Sequence, residues 1–253
     1  MSVQPFMKTG RTHATRSVEF KELEVYTTTP LPTPPPTWEV PLQKQVTAGQ
    51  PVYPMDVNDR LGDCTVAGVD HLQRAFSALF KEPYTPPTDA AIEHKYFGLS
   101  GGQDTGLNEE FVLSTWHKEG LFGTKIAGFA PLSTTSLLQW HQSISMYGGA
   151  YLGIRCPESA QRAFQKEQET GKIVPWVYEG EETNDGHCVV ALGYGPNGGL
   201  HCASWGGIVV LEPSFLAHYL DEAWVVLSQQ LVEAKKDTLG INVEALQADL
   251  AKL

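Results

Sequence analysis

The sequence predicts an α+β protein whose helices fill the first half of the chain and whose short strands fill the second. Three observations carry that expectation. Apolar residues recur at three- and four-residue steps between Asp63 and Leu79, and a second helical run spans Asn108 to Gly120. Beyond residue 150 the pattern changes to short apolar segments separated by Gly, Pro and Asn. Ahead of both lies a proline-rich stretch that suits neither a helix nor a central strand.

Taken in order, residues 1–37 read as an arm. The run Thr27-Thr28-Thr29-Pro30-Leu31-Pro32-Thr33-Pro34-Pro35-Pro36-Thr37 is polyproline-like, and it fits either a disordered tail or an arm packed on the body or on a partner chain. From Trp38 the composition becomes globular, and residues 38–229 form the main domain, with a helical lobe over about 55–135 and a β lobe over about 136–229. Val66, Val69, Leu72, Phe76 and Leu79 mark a buried helix with Asp63 at its N-cap. Phe111, Leu113 and Trp116 mark the next, stopped by Gly120. Ser136 to Tyr147 is a weaker helical candidate. Strands are expected at 150–154, 188–194, 200–205, 208–211 and 223–227. Residues 230–253 read as an exposed terminal helix whose Leu246, Leu250 and Leu253 stripe packs locally or docks on another subunit.

Composition excludes several classes. With 253 residues there is ample chain for a core. The net charge of −11, from 18 basic and 29 acidic residues, argues against nucleic acid and anionic membranes as partners. No apolar run approaches the length of a membrane span, and the first residues carry no secretory h-region, so the expected setting is cytoplasmic or virion-associated. Four cysteines are too few for a disulfide framework, so free thiols are expected.

Two positions combine into chemistry. Cys64 stands where the turn-rich loop Asn58-Asp59-Arg60-Leu61-Gly62-Asp63 becomes a helix, and a helix N-terminus favours thiolate. Asp63 opposes this by like charge. Read alone, the position fits a buried inert thiol better. His187 opens the strand Asp185-Gly186-His187-Cys188-Val189-Val190-Ala191-Leu192, and read alone it fits a core or surface histidine better. Together they are the pair from which a thiolate–imidazolium nucleophile is made. The His187-Cys188 and His201-Cys202 pairs do not suggest a zinc site, because neighbours on a strand point to opposite faces. Cys188 and Cys202 are expected to face each other across a hairpin as apolar packing. His71 shows no partner signal, and Asp56, Asp59 and Asp63 read as turn and capping residues in preference to cation ligands. No metal or cofactor is expected.

The block from Gly186-His187 through Gly193-Tyr194-Gly195-Pro196-Asn197 to Ala203-Ser204-Trp205-Gly206 resembles the histidine-to-asparagine hairpin of papain-like cysteine proteases. Asn58 lies six residues before Cys64, the family's spacing between the oxyanion-hole amide and the nucleophile. Gly101-Gly102, followed by Gly106, resembles the segment that pairs with the substrate backbone, and Phe164 and Gly171 resemble the approach to the histidine. The resemblance implies a papain-like two-lobe fold with a helical N-terminal lobe and an antiparallel, barrel-like C-terminal lobe. It implies Cys64, His187 and Asn58 as catalytic residues, and Gly101, Gly102, Gly186 and Trp205 as substrate-binding or shielding residues. Two departures stand out. Leu61-Gly62-Asp63-Cys64-Thr65 lacks the family's disulfide cysteine, and the position of the histidine-orienting asparagine holds Ala203, which leaves Asp185, a carbonyl or a water to orient the ring.

The implied function is a thiol hydrolase of peptide or isopeptide bonds in a divergent bacterial or phage-type chain, with a peptide or protein as substrate. The alternative is a non-catalytic structural or binding protein on the same fold, for example a virion component. In that reading the arm and terminal helix make homo-oligomer or assembly contacts.

Overall fold

A computed structural model of the chain describes residues 7–13, 20–40, 52–81, 83–235 and 239–252. Its elements in chain order are β1 (Trp38–Glu39), α1 (Cys64–Phe80), α2 (Asp89–Leu99), α3 (Glu109–Lys118), β2 (Ile126–Pro131), α4 (Leu137–Gln142), β3 (Ala150–Arg155), α5 (Glu158–Thr170), β4 (Gly186–Tyr194), β5 (Leu200–Ser204), β6 (Gly207–Leu211), α6 (Pro213–Tyr219), β7 (Leu220–Ser228), α7 (Gln229–Lys235) and α8 (Val243–Leu250). A π-helical turn, Ser143–Tyr147, extends α4. The sheet runs β2-β7-β3-β4-β5-β6, every pairing is antiparallel, and β1 pairs with β4.

The apolar spacing in the sequence explains α1. Val66, Val69, Leu72 and Phe76 are all fully buried, and α1 packs lengthwise on β4 with α2 and α3 against it. Each such side chain contributes about 1.5–3 kcal/mol of burial. Asp63 occupies the N-cap position without capping; its carboxylate instead accepts from Asn58 Nδ2 at 3.1 Å. Asn108 does cap α3, accepting from Phe111 N–H.

β4 lies between β3 and β5, and all nine of its residues are buried. It therefore holds His187 rigidly. β5 and β6 are joined by Trp205 and Gly206 alone, at φ +45° and +79°, with Ser204 opposite Gly207. A two-residue hairpin loop needs positive φ at both positions, so Trp205 is held in the left-handed region by the loop length. The register places Cys202 opposite Ala191 and Cys188 opposite Gly153, so Cys188 and Cys202 do not face each other as expected.

The arm is packed. Tyr26 is buried and its hydroxyl donates to Asp249; Pro32 and Pro35 carbonyls accept from Gln142 Nε2 and Tyr194 OH. The expected terminal helix is two helices, α7 and α8, with Val243, Leu246 and Leu250 buried, while Leu253 lies outside the described residues. Among the described residues no helix is long and apolar enough to cross a membrane.

Candidate active site

Cys64 is the first residue of α1 and is 2% exposed. Its Sγ accepts a hydrogen bond from the Cys188 backbone N–H at 3.3 Å, which sets the sulfur one peptide unit from His187. His187 is fully buried. Its Nε2 lies 2.8 Å from Ser204 Oγ, and its Nδ1 has no hydrogen-bond partner. The Trp205 ring stacks on the imidazole with centroids 4.4 Å apart and 23° between planes. Phe164 and Trp176 also pack on Trp205. The ring orientation is thus fixed by one hydroxyl and one indole face.

One expectation about the histidine is corrected. The residue on Nε2 is Ser204, not Asp185, whose backbone carbonyl instead accepts from Cys156 N–H at 2.7 Å. Ala203 lies in the ladder opposite Val190, and the next residue supplies the oxygen. That hydroxyl lies within the Ala203-Ser204-Trp205-Gly206 motif, one position beyond the one that matches the family's asparagine.

Among the described residues, the arm does not pair with the two glycines expected to meet a substrate backbone. Gly101 and Gly102 close α2 at φ +69° and +82°, and nothing lies within 4 Å of where their Cβ atoms would be. The backbone partner in the cleft is Leu107. Its N–H donates to Gly10 O at 3.0 Å and its carbonyl accepts from Thr12 N–H at 3.0 Å.

That partner belongs to the arm, which sequence reasoning did not place. Residues 7–13 run through the cleft between Gly62 and Gly186. Gly10 and Arg11 N–H both donate to Gly186 O, at 3.0 and 2.9 Å, and Trp205 Nε1 donates to Lys8 O at 3.1 Å. A Cβ on Gly10 would meet Gly62 O at 2.1 Å, and a Cβ on Gly186 would meet Arg11 O at 2.0 Å, so side chains at either point would expel the strand. The Arg11 side chain ion-pairs with Asp221 and Glu222.

Burial dominates the electrostatics. It pushes the Cys64 thiol up to about 12; the Cys188 N–H and Arg11 pull it down, while Asp63 and Glu109 add to the rise. Burial, helped by Arg11 and His71, drives His187 down to about 3. With the arm in place both groups are neutral. The helix N-terminus that argues for thiolate is outweighed by exclusion of water. Asn58 spends both amide hydrogens within its loop, on Leu61 O at 3.0 Å and on Asp63 Oδ1.

His71, expected to have no partner, bonds Pro54 O at 2.9 Å and lies 3.3 Å from Asp56. Asp56, Asp70 and His71 bring ligand atoms within 4.8 Å of one another. Arg74 and the Tyr84 hydroxyl occupy Asp70, so the group reads as a buried polar network locking α1 to the preceding loop.

A helical segment headed by a cysteine, packed on an antiparallel sheet that carries a shielded histidine, defines the papain-like fold. The fold is shared with xylellain, a cysteine protease from Xylella fastidiosa, at TM-score 0.61, 13% identity, and coverage of 90% of this chain and 99% of that one. It is shared with the cysteine protease and lectin-like domains of Cwp84, a surface-layer-associated protein of Clostridium difficile, at TM-score 0.54, 10% identity, and coverage of 83% and 60%. Procathepsin B S9 from Trypanosoma congolense gives TM-score 0.52, 10% identity, and coverage of 88% and 86%. No protein-family model matches the sequence, and no curated protein matches it.

Proposed function

We propose that the chain is a papain-like thiol hydrolase of peptide or isopeptide bonds, held latent by its own N-terminal arm. The observation that carries this reading is the state of His187. One nitrogen is held by Ser204, the ring is shielded by Trp205, Nδ1 is buried without a hydrogen-bond partner, and the Cys64 sulfur accepts from the N–H of the residue that follows His187. With Nε2–H donating to Ser204 Oγ, Nδ1 presents a lone pair able to take the thiol proton.

Once the arm leaves, water and substrate enter, and the burial that keeps both groups neutral is relieved. Cys64 thiolate then attacks the carbonyl carbon. The Cys64 N–H, free at the first turn of α1, donates to the oxyanion. The C–N bond breaks as His187 protonates the leaving amine, which leaves a thioester on Cys64. His187 then takes a proton from water, the hydroxide displaces sulfur, and a carboxylic acid and free thiol result.

A second reading has one specific observation in its favour. Both Asn58 side-chain amide hydrogens are engaged, so the oxyanion is left with the Cys64 backbone N–H and without a side-chain donor from Asn58. That suits a non-catalytic protein on the same fold. The discriminating experiment incubates full-length Arg11→Ala with a defined peptide mixture and reads new termini by mass spectrometry, with Cys64→Ala and His187→Ala added in turn. Cleavage abolished by each addition supports the hydrolase. No cleavage from a folded Arg11→Ala chain contradicts it.

A further inference from the structure

The slot that receives Arg11 is built for the side chain it holds. The Arg11 side chain is 1% exposed. Its Nη1 donates to Glu222 Oε2 at 3.0 Å, and its Nη2 donates to Asp221 Oδ1 at 2.7 Å and to Ile154 O at 3.3 Å. The two carboxylates take different nitrogens of the fork, which a single ammonium cannot span. Glu222 is itself fixed, since its Oε1 accepts from Trp224 Nε1 at 3.0 Å. The floor is Gly153, where a Cβ would come within 2.8 Å of Arg11 Nε. Glu109, fully buried at the start of α3, is pushed well above the ordinary carboxyl range by burial, so the charge facing the guanidinium comes from Asp221 and Glu222.

The backbone on either side of this arginine is held by groups that any extended peptide can use: Gly186 O, Leu107 N–H and Leu107 O. Departure of the arm strips the acidic wall of its guanidinium in a site where an uncompensated charge is costly. The vacated slot therefore favours a replacement of the same shape and charge.

We infer that this slot is a recognition pocket for the arginine side chain of a second peptide, so that arginine-bearing peptides are the class this cleft takes when the arm is out. The fate of the bound peptide rests on the hydrolase reading; its capture does not.

The test uses the full-length chain carrying Arg11→Ala and Cys64→Ala, so no turnover intervenes. A fluorescein-labelled peptide of residues 7–13 is titrated by anisotropy, beside copies with citrulline or lysine in place of the arginine. The arginine peptide is expected to bind, the citrulline copy at least about 30-fold more weakly, and the lysine copy at least about fivefold more weakly. Glu222→Gln is expected to erase most of the arginine–citrulline difference. Equal binding of arginine and citrulline peptides, or no binding by a folded protein, overturns the inference. Selective binding with no cleavage by Arg11→Ala sinks the hydrolase reading and leaves the pocket; cleavage without arginine preference does the reverse. Should Arg11→Ala fail to fold, Glu222→Gln alone in the otherwise unaltered chain gives the answer by hydrogen exchange. The Arg11 and Thr12 amides are expected to exchange at least about tenfold faster, and unchanged rates overturn the pocket.

Discussion

Ser204 Oγ lies 2.8 Å from His187 Nε2, so a hydroxyl one residue beyond Ala203 orients the imidazole. The β5–β6 hairpin puts it there, because Ser204 is the last residue of β5 before the Trp205-Gly206 loop. Ser204→Ala is expected to lower stability by about 1 kcal/mol and, in the Arg11→Ala background, to lower kcat about tenfold at little change in KM. Steady-state kinetics check this. An unchanged kcat contradicts the orienting role.

Trp205 joins three tasks: it stacks on His187, fills a pocket against Phe164 and Trp176, and donates to the arm at Lys8 O. Trp205→Ala is expected to cost about 3–5 kcal/mol in a denaturant titration. Trp205→Phe keeps the stacking and is expected to lose far less, while still losing the bond to the arm.

The close approach of Gly10 to Gly62 makes the arm sensitive to one methyl group. Gly10→Ala places a Cβ 2.1 Å from a backbone oxygen and is expected to expel residues 7–13. Trypsin cleavage after Arg11 is then expected to quicken by about an order of magnitude, since the open population rises with any loss of about 1.4 kcal/mol. Gly101→Ala is the control. Its positive φ costs roughly 1–2 kcal/mol, but it meets nothing near the arm and is expected to leave this cleavage rate unchanged.

Two buried groups give opposite pH slopes to stability. His187, near 3 in the folded chain against 6.5 when exposed, contributes stability that is present above about 6.5 and is lost as pH falls toward 3. Asp63 is raised from 3.8 to about 8 by burial, against the Asn58 hydrogen bond. The folded state therefore keeps a proton that the unfolded state releases, and stability falls as pH rises from about 4 to 8. Urea titrations across pH are expected to show His187→Asn flattening the acid limb and Asp63→Asn flattening the neutral-to-alkaline limb.

Much of this molecule is legible in its sequence, and the exceptions have physical reasons. The apolar steps of α1 and α3 and the strand segments around 150, 188, 200, 208 and 223 reflect local periodicity and burial. Helices α2, α5 and α6 are not expected from the sequence; α5 buries only Ala160 and Phe164 as apolar residues, beside Ser159 and Gln161, too narrow an apolar stripe to stand out. Strand β2, Ile126–Pro131, is buried on both faces and lacks alternation. At the site, Cys64 and His187 stand out through the motifs around them that resemble the papain-like pattern, since each alone reads as an inert thiol or a core or surface histidine. The arm in the cleft did not, since Gly10 bonds a carbonyl 176 positions away and nothing local encodes that contact. The burial of Cys64 agrees with the inert thiol that its position alone suggests; the strand that seals it is what the sequence does not reveal.

The central claim is that removing the arm turns two neutral buried groups into a thiolate–imidazolium pair, and the pH profile of Cys64 alkylation by iodoacetamide tests it most directly. For the wild-type chain the account predicts slow labelling at neutral pH. For full-length Arg11→Ala it predicts rapid labelling that is already at its plateau below pH 7 and is lost when His187→Ala is added. A rate in Arg11→Ala that rises only near the free-thiol value of about 8.5, and is indifferent to His187, contradicts it.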